Sequence, residues 1–235
     1  MLDFKQVYKI IKNKEIKSKV IFQDLSIKKI YNEHAKLINK IGSSLMQEEG
    51  KTFIIDDNNQ KVLKFLLYYF NECELIKDLY PEEKYNLNNQ IMLCGIVGAG
   101  KTIIMKIFSE YLKYTKNPKY YSCTSITKMI NYYKINNHLD KFTYNEIESN
   151  KFEGNPTSLC MNDIGLDTYK YFGTDFKMLI DEFLYARNEI LINSKRTTHL
   201  TTNLTAREIQ KMFDERLIDR FKTYNIIDLT GKSRR

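Results

Sequence analysis

Apolar residues in the second half of the chain fall into short continuous runs separated by longer stretches with helical spacing. Five runs rich in β-branched and aromatic residues predict strands, at residues 91–94, 120–124, 159–161, 197–202 and 224–229. Between them, apolar residues recur every three or four positions and predict helices, at residues 102–114, 126–135, 175–192 and 207–221. Strands that alternate with helices of this length predict an α/β fold, with a largely parallel sheet flanked by helices.

The first half of the chain is mainly helical in its spacing. Apolar residues at 7–11 and 27–41 recur as they do in helices, and a further helix is predicted through residues 62–70. We therefore predict two parts. Residues 1–50 form a small N-terminal helical region that docks a partner, and residues 51–235 form the α/β domain.

The composition is that of a globular chain. With 235 residues, 43% of them hydrophobic and 13% aromatic, the chain can bury a substantial core. No run approaches the roughly 18 apolar residues of a membrane span, and the highly charged N-terminus does not have the pattern of a secretion signal. We expect a cytoplasmic protein with no membrane partner. The four cysteines lie far apart without a CxxC pair, which indicates neither a zinc site nor a disulfide framework.

The formal net charge of +8 is unevenly distributed. Residues 1–40 contain ten lysines, four acidic residues and no arginine, whereas all seven arginines lie at or beyond Arg187. The lysines have two interpretations: a compositional bias on solvated faces, or attraction to nucleic-acid phosphates through counterion release. The restricted use of arginine suggests positions that need its planar, fork-shaped group of donors.

The sequence GIVGAGKT at residues 95–102 has the spacing of a phosphate-binding loop, with a predicted strand before it and a predicted helix after it. Its backbone N–H groups would surround the β-phosphate of a nucleotide at the start of the helix. Lys101 would reach the β- and γ-phosphates, and the Thr102 hydroxyl would bind Mg²⁺. The predicted nucleotide-binding residues are Gly95, Val97, Gly98, Ala99, Gly100, Lys101 and Thr102.

Two shorter sequences are similar to this loop, EGKT at residues 49–52 and TGKS at residues 230–233. Both lack the glycine that a phosphate-binding loop has five residues before its Gly-Lys pair, because Leu45 and Ile226 occupy the equivalent positions. We interpret both as accidental matches.

Hydrolysis of a nucleotide also requires carboxylates at the end of a neighbouring strand. In SLCMNDIG, residues 158–165, Asn162 and Asp163 follow an apolar run, so they would lie at the edge of the sheet where α/β proteins bind ligands. One would belong to the metal shell, together with Thr102, and the other would polarise the attacking water. The alternative is that the pair simply caps a turn.

Three further polar residues are candidates for the same site. Asn203 ends the run at residues 197–202; it would either orient a water near the γ-phosphate or cap the helix that follows. Arg216 and Arg220 are four residues apart, hence on one helical face. They form either a surface ion-pair ladder or an arginine finger that enters the nucleotide site of a neighbouring subunit. His199 is interpreted as a buried structural histidine.

Five segments together resemble the DnaC-type helicase-loader and IstB-type transposition ATPases of the AAA+ superfamily, in order and in spacing. They are GIVGAGKT, SLCMNDIG, KRTTHLTTNLTAREI, FDERLIDRF and DLTGKSRR, and the resemblance extends over residues 52–235. It implies an ATP-driven assembly factor with side-by-side subunits and no helical lid. It also implies that Asn203 is the sensor-1 residue, Arg220 the arginine finger and Arg216 a second basic contact.

The chain departs from this family at one position. The family has Asp-Glu or Asp-Asp where this chain has Asn162 and Asp163. Because Mg²⁺ prefers charged oxygen ligands, an amide in the metal shell would make hydrolysis slow. Alternatively, Asp163 serves the metal with the strand register shifted by one residue. The sequence leaves both possibilities open.

The leading hypothesis is an ATP- and Mg²⁺-binding, ATP-hydrolysing helicase loader that acts on a replicative helicase, on single-stranded DNA, or on both. It would oligomerise with itself through Arg220 in trans. The alternatives are an IstB-like transposition ATPase and a nucleotide-gated adaptor with negligible hydrolysis. A small-molecule P-loop kinase is disfavoured, because such enzymes need an arginine-bearing lid and residues 174–194 contain only Arg187.

Overall fold

The computed structural model describes residues 22–150, 154–165, 170–171 and 174–234. The helix predicted around residues 7–11 lies outside the described residues.

Within the described part of the chain, five strands form one parallel sheet in the order β2-β3-β6-β1-β7. A separate two-stranded antiparallel pair lies between β3 and β6 in the sequence. The bounds are β1 Gln90–Cys94, β2 Ser122–Ser125, β3 Leu159–Ile164, β4 Lys170–Tyr171, β5 Thr174–Asp175, β6 Thr198–Thr202 and β7 Tyr224–Asp228. All five strands predicted from the apolar runs are therefore present, and the predicted parallel sheet is confirmed.

Helices cover both faces of this sheet. Their bounds are α1 Lys28–Glu48, α2 Gln60–Phe70, α3 Ile76–Leu79, α4 Lys101–Tyr114, α5 Ile126–Asn136, α6 Glu146–Ser149, α7 Phe176–Ser194, α8 Ala206–Met212 and α9 Glu215–Phe221. Alternate side chains of β1 point to opposite faces: Ile91 and Leu93 join a core with α1, α2 and α4, whereas Met92 and Cys94 join a core with α5, α7 and α9. The predicted α/β fold is confirmed.

The helix α1 shares a core with the sheet domain. Ile38 is buried against α2 and α4, and the Nδ1 atom of His34 lies 2.6 Å from the hydroxyl of Tyr111 on α4. At Gly42 a Cβ atom would overlap the ring of Phe53, so this close approach requires glycine. The division at residue 50 remains a prediction, but α1 packs on the α/β domain over a continuous apolar interface.

The single helix predicted over residues 207–221 is two helices. Asp214 has an extended backbone conformation, and its side chain accepts a hydrogen bond of 2.9 Å from the backbone N–H of Leu217, so it caps a new helix, α9. Phe213, which lies just before it, is buried in the core. The break starts a new helix at Glu215, and Arg216 and Arg220 both lie on it.

His199 is a buried structural histidine, as predicted. Its Nδ1 atom accepts a hydrogen bond of 3.1 Å from the backbone N–H of Ile91, and its ring contacts those of Tyr69, Phe70 and Tyr121. Burial, assisted by the positive charge of Lys119, lowers the pKa of His199 to about 3. The ring is therefore neutral in the folded protein at physiological pH.

This shift predicts acid lability. Below about pH 6.5 the unfolded chain binds a proton at His199 that the folded protein excludes, so the stability contribution is complete above that pH and decreases as pH falls towards 3. The slope is up to about 1.4 kcal/mol per pH unit. Urea denaturation between pH 6.5 and 5 should show this slope in the wild type, and His199→Phe should lack it. Equal slopes in the two proteins would contradict this account.

Candidate nucleotide-binding site

The loop between β1 and α4 has the backbone geometry of an anion cradle. Gly95, Gly98 and Gly100 have φ values of 149°, 82° and 103°, in the region that disfavours side chains. Gly100 is the N-cap of α4, whose first residues are Lys101 and Thr102. The first N–H groups of this 14-residue helix have no partners within the helix and carry its positive dipole end. The predicted phosphate-binding loop therefore lies at a helix N-terminus.

Lys101 is directed back into this loop. Its side chain is buried, and Nζ donates to the carbonyl oxygens of Gly95 at 2.7 Å and Ile96 at 2.9 Å. Nζ also donates to Oδ1 of Asn203, which follows β6. The structure thus brings Asn203 beside the loop. The N-cap of α8 is Thr205, which forms a capping box with Glu208, so the interpretation of Asn203 as that cap is wrong.

Asn162 has both polar atoms of its side chain engaged by the protein. Its Nδ2 donates to the carbonyl oxygen of Thr124 on β2 at 2.9 Å, and its Oδ1 accepts from the hydroxyl of Thr201 on β6 at 3.3 Å. The residue is 4% exposed. The amide predicted as a metal ligand thus connects three neighbouring strands through hydrogen bonds from both of its polar atoms.

Asp163 occupies an irregular point of the same strand. The pairing of β3 with β6 shifts register between Met161 and Ile164, and Asp163 has a φ of 62°. Its backbone N–H donates to the hydroxyl of Thr201 at 3.0 Å. Left-handed conformations are uncommon outside glycine and cluster at functional sites. The alternative from the sequence, in which Asp163 serves the metal with the strand register shifted by one residue, stays a prediction.

Among the described residues, no group of three or more His, Cys, Asp or Glu side chains could hold a metal by itself. A Mg²⁺ ion that accompanies a nucleotide does not need such a group, because phosphate oxygens and water complete its coordination around one or two protein ligands. For that role the sequence predicts the Thr102 hydroxyl together with Asn162 and Asp163, of which only Asn162 has its side-chain oxygen committed to a protein hydrogen bond in the described ranges.

The contacts of Asn162 predict the effect of restoring the acid. Asn162→Asp removes the donor to Thr124 and places a carboxylate against a carbonyl oxygen in a buried position. We expect the free energy of unfolding to fall by about 1–3 kcal/mol, with no increase in ATP turnover. Urea denaturation and phosphate release measure the two effects. Faster turnover at unchanged stability would show that residue 162 faces the metal.

Arg220 is held on its own subunit by an aromatic ring. Its guanidinium carbon lies 4.4 Å from the ring centre of Tyr185 on α7, and the Tyr185 hydroxyl donates to Asp214 at 2.6 Å. The Nη1 atom of Arg220 is buried and has no hydrogen-bond partner within the described part of the chain. Arg216, one turn earlier, is exposed. Because the two arginines are four residues apart within α9, they lie on the same face of this helix.

Arg220 lies near the N-terminal end of β1, whereas the phosphate-binding loop follows the C-terminal end of that strand. Its carbonyl oxygen accepts from the N–H of Thr223, whose own carbonyl accepts from the N–H of Gln90 at the start of β1. The loop follows the other end of β1, five residues later, which is about 15 Å away at 3.3 Å per residue. The backbone of Arg220 thus lies near the start of β1, away from the loop of its own subunit.

These features define the class of protein. A phosphate-binding loop joins β1 to α4, and β6 lies between β1 and β3, with an asparagine at its end beside the loop lysine. This arrangement is the fold of a P-loop nucleoside triphosphatase. No helix in the described ranges is long and apolar enough to cross a membrane.

No protein-family model matches the chain, and no curated protein sequence matches it. Solved structures similar to it include AMPPCP-bound DnaA from Aquifex aeolicus, with 20% identity and a TM-score of 0.48 over 76% of this chain and 48% of DnaA. The DnaC helicase loader has 13% identity and a TM-score of 0.48, over 76% of this chain and 93% of DnaC.

Domain III of the Thermotoga maritima replication initiation protein DnaA has 15% identity and a TM-score of 0.45, over 76% of this chain and 65% of that structure. The chain thus spans about half of the Aquifex aeolicus DnaA chain. At these identities and TM-scores the similarity is one of general fold, and the function proposed below rests on the chain's own residues.

Proposed function

We propose that this protein is an AAA+ ATPase of the helicase-loader type, which binds ATP with Mg²⁺ and hydrolyses it to control its assembly. The observation that carries the proposal is the hydrogen bond from Lys101 to Asn203. It joins the phosphate-binding loop to the end of β6, where a polar residue next to the γ-phosphate would orient a water.

The residues of the loop have separate tasks in this proposal. Backbone N–H groups of residues 97–102 bind the β-phosphate at the start of α4. Lys101 exchanges its two carbonyl partners, Gly95 and Ile96, for oxygens of the β- and γ-phosphates. Thr102 and Asp163 would hold Mg²⁺, which would supply positive charge to the phosphates, and Asn203 would orient the attacking water.

Arg220 would complete the site of a neighbouring subunit. Its backbone lies near the N-terminal end of β1, whereas its own loop follows the C-terminal end. Its buried Nη1 atom has no hydrogen-bond partner among the described residues. A second copy of the chain, placed with α9 against the first copy's loop, would bring the guanidinium to the γ-phosphate. Arg216, exposed on the same helix, would make a second basic contact. ATP would thereby stabilise a self-oligomer.

The proposed partners are a replicative helicase, docked through residues 1–50, and single-stranded DNA. Support for DNA comes from the net charge of +8 and from the lysines concentrated in residues 1–40. An IstB-like transposition ATPase would use the same site with a different partner. A nucleotide-gated adaptor with negligible hydrolysis is favoured by one observation, namely that the side-chain amide of Asn162 is engaged by Thr124 and Thr201.

The position of Arg187 argues against a small-molecule kinase. Its side chain is 2% exposed, Nε donates to the Thr198 hydroxyl at 2.7 Å, and Nη2 donates to the carbonyl oxygens of Thr157 at 2.8 Å and Thr197 at 3.2 Å. Burial lowers the pKa of Arg187 to about 10, so the side chain remains charged at neutral pH. Its hydrogen bonds connect α7 to the sheet. An arginine held in this way cannot move onto a substrate as a lid arginine does.

Calorimetry with ATP and Mg²⁺, followed by phosphate release with and without single-stranded DNA, tests the proposal. Binding with DNA-stimulated release supports a loader. Tight binding without release in either condition supports the adaptor. A wild-type protein that shows no heat with ATP, ADP or their magnesium complexes would overturn the proposed function.

A further inference from the structure

Tyr185 of α7 supports the guanidinium of Arg220. The guanidinium carbon lies 4.4 Å from the centre of the ring, which is within the range of a cation–π contact. Among the described residues, the side chain of Arg220 forms no hydrogen bond and no ion pair, and its Nη1 atom is buried without a partner. Within this part of the chain, the aromatic ring is therefore the group that holds the guanidinium on its own subunit.

A contact of this kind leaves the donors of the guanidinium unused. The N–H groups of arginine lie in the plane of the guanidinium, whereas an aromatic ring stacks on the face of that plane. An ion pair with a carboxylate would instead occupy one edge of the fork. Arg220 is thus held in place while its N–H donors stay available for an anion.

Asp214 supports the ring. Its Oδ2 atom accepts from the Tyr185 hydroxyl at 2.6 Å, and its Oδ1 atom accepts from the backbone N–H of Leu217 at 2.9 Å. The hydrogen bond to Asp214 raises the pKa of Tyr185, and the positive charges of Arg220 and Arg216 oppose this shift. The hydroxyl therefore stays protonated at neutral pH, close to both arginines, and connects α7 to the first turn of α9.

The helix that carries the ring is fixed to the sheet. Two residues after Tyr185, the Nε atom of Arg187 donates to the Thr198 hydroxyl on β6 at 2.7 Å. Leu184, which precedes Tyr185, is buried in the core that α7 shares with the sheet. An arginine that is already restricted by a ring on a rigid helix loses less side-chain entropy when it binds an anion.

We propose that Tyr185 is a positioning residue for Arg220: its ring holds the guanidinium in the arrangement in which it meets the nucleotide of a neighbouring subunit. Asp214 fixes the ring through the Tyr185 hydroxyl. This inference rests on the proposed function, because the task of Arg220 in a neighbouring site belongs to that proposal. Tyr185 acts through Arg220 and does not itself bind the nucleotide.

Phosphate release at varied ATP concentration tests the role of the ring. Tyr185→Leu removes the ring and should lower kcat about 5- to 30-fold, which corresponds to a loss of about 1–2 kcal/mol of cation–π stabilisation. The KM for ATP should stay within about twofold of the wild type, because the phosphate-binding loop is unchanged. Tyr185→Phe keeps the ring and loses only the bond to Asp214, so it should keep at least about a third of the wild-type kcat. Tyr114→Leu, the same change at an exposed tyrosine at the end of α4, is the control and should keep the wild-type kcat.

Mixtures of variants separate positioning from a general defect. Tyr185→Leu has an intact loop and a weakened arginine finger, so mixing it with Lys101→Ala, which keeps the finger, should recover part of the wild-type rate. Mixing it with Arg220→Ala, which lacks the finger, should recover nothing. In a double variant, Tyr185→Leu should not lower turnover below that of Arg220→Ala alone, because the ring acts through Arg220.

Any of three results in single and double variants would overturn the inference. They are a kcat of Tyr185→Leu within about twofold of the wild type, equal losses in Tyr185→Leu and Tyr185→Phe, and a further loss when Tyr185→Leu is added to Arg220→Ala. Recovery of Tyr185→Leu by Arg220→Ala but not by Lys101→Ala would assign its defect to the loop, which contradicts the inference as well.

Arg220→Ala in the same assay separates the two proposals. If it keeps the wild-type turnover, or if the wild type releases no phosphate, the proposed function fails and this inference fails with it. If Arg220→Ala is inactive and Tyr185→Leu has normal turnover, only the inference about Tyr185 is removed.

Discussion

Arg220→Ala is expected to lower ATP turnover by about 10³- to 10⁵-fold while each subunit still binds ATP. The reason is the distance between Arg220 and its own phosphate loop: the start and the end of β1 separate them. In the proposed mechanism the side chain stabilises the transition state in another subunit. Its loss should leave the binding residues of each site intact and remove the charge that the neighbour supplies.

Mixing variants provides a decisive measurement. Arg220→Ala has an intact loop without the finger, and Lys101→Ala has an intact finger without the loop. Each variant alone should release almost no phosphate. A mixture should recover part of the wild-type rate, because at some interfaces Lys101 of one subunit would meet Arg220 of the other. Arg207→Ala is the control. It removes the positive charge of an exposed arginine on α8 and should keep the wild-type rate. Failure of the mixture to recover activity would remove the trans role of Arg220.

Lys101→Ala is expected to weaken ATP binding at least about 100-fold, because two charge-assisted hydrogen bonds to phosphate are lost. In the folded protein the Lys101 ammonium already lies inside the loop, on the carbonyl oxygens of Gly95 and Ile96 and on Asn203. It needs only to change partners when a nucleotide arrives. ATP-dependent assembly should disappear together with binding.

Lys106→Ala is the matched control for this variant. Lys106 lies on the same helix, α4, and is exposed, so its replacement makes the same charge change outside the loop. Calorimetry gives the two binding constants, and sedimentation with ATP and single-stranded DNA gives the assembly. If Lys101→Ala still assembles with ATP as the wild type does, the phosphate loop is not the site that controls assembly.

Local sequence was enough for most of the secondary structure and for the loop. The strands and α4 follow from apolar spacing, since side chains buried on one face must recur with the period of the element. The loop follows from glycine positions that a short turn around an anion requires, and Gly95, Gly98 and Gly100 have positive φ values. The split of the helix predicted over residues 207–221 was missed, although Asp214 is a common N-cap residue, because the apolar pattern continues across it.

What the sequence by itself determined is the α/β fold and a loop able to hold phosphate, because both depend on residues that are close together in the chain. Only the tertiary structure decided which distant groups meet at that loop. In it, Asn203 accepts a hydrogen bond from Lys101, and the side-chain amide of Asn162 bonds to Thr124 and Thr201. The backbone N–H of Arg234 donates to the carbonyl oxygen of Gly98. These contacts join residues from about 40 to more than 130 positions apart. Neither spacing nor composition records such a pairing, because it depends on the order of strands in the sheet and on where the chain returns after β7.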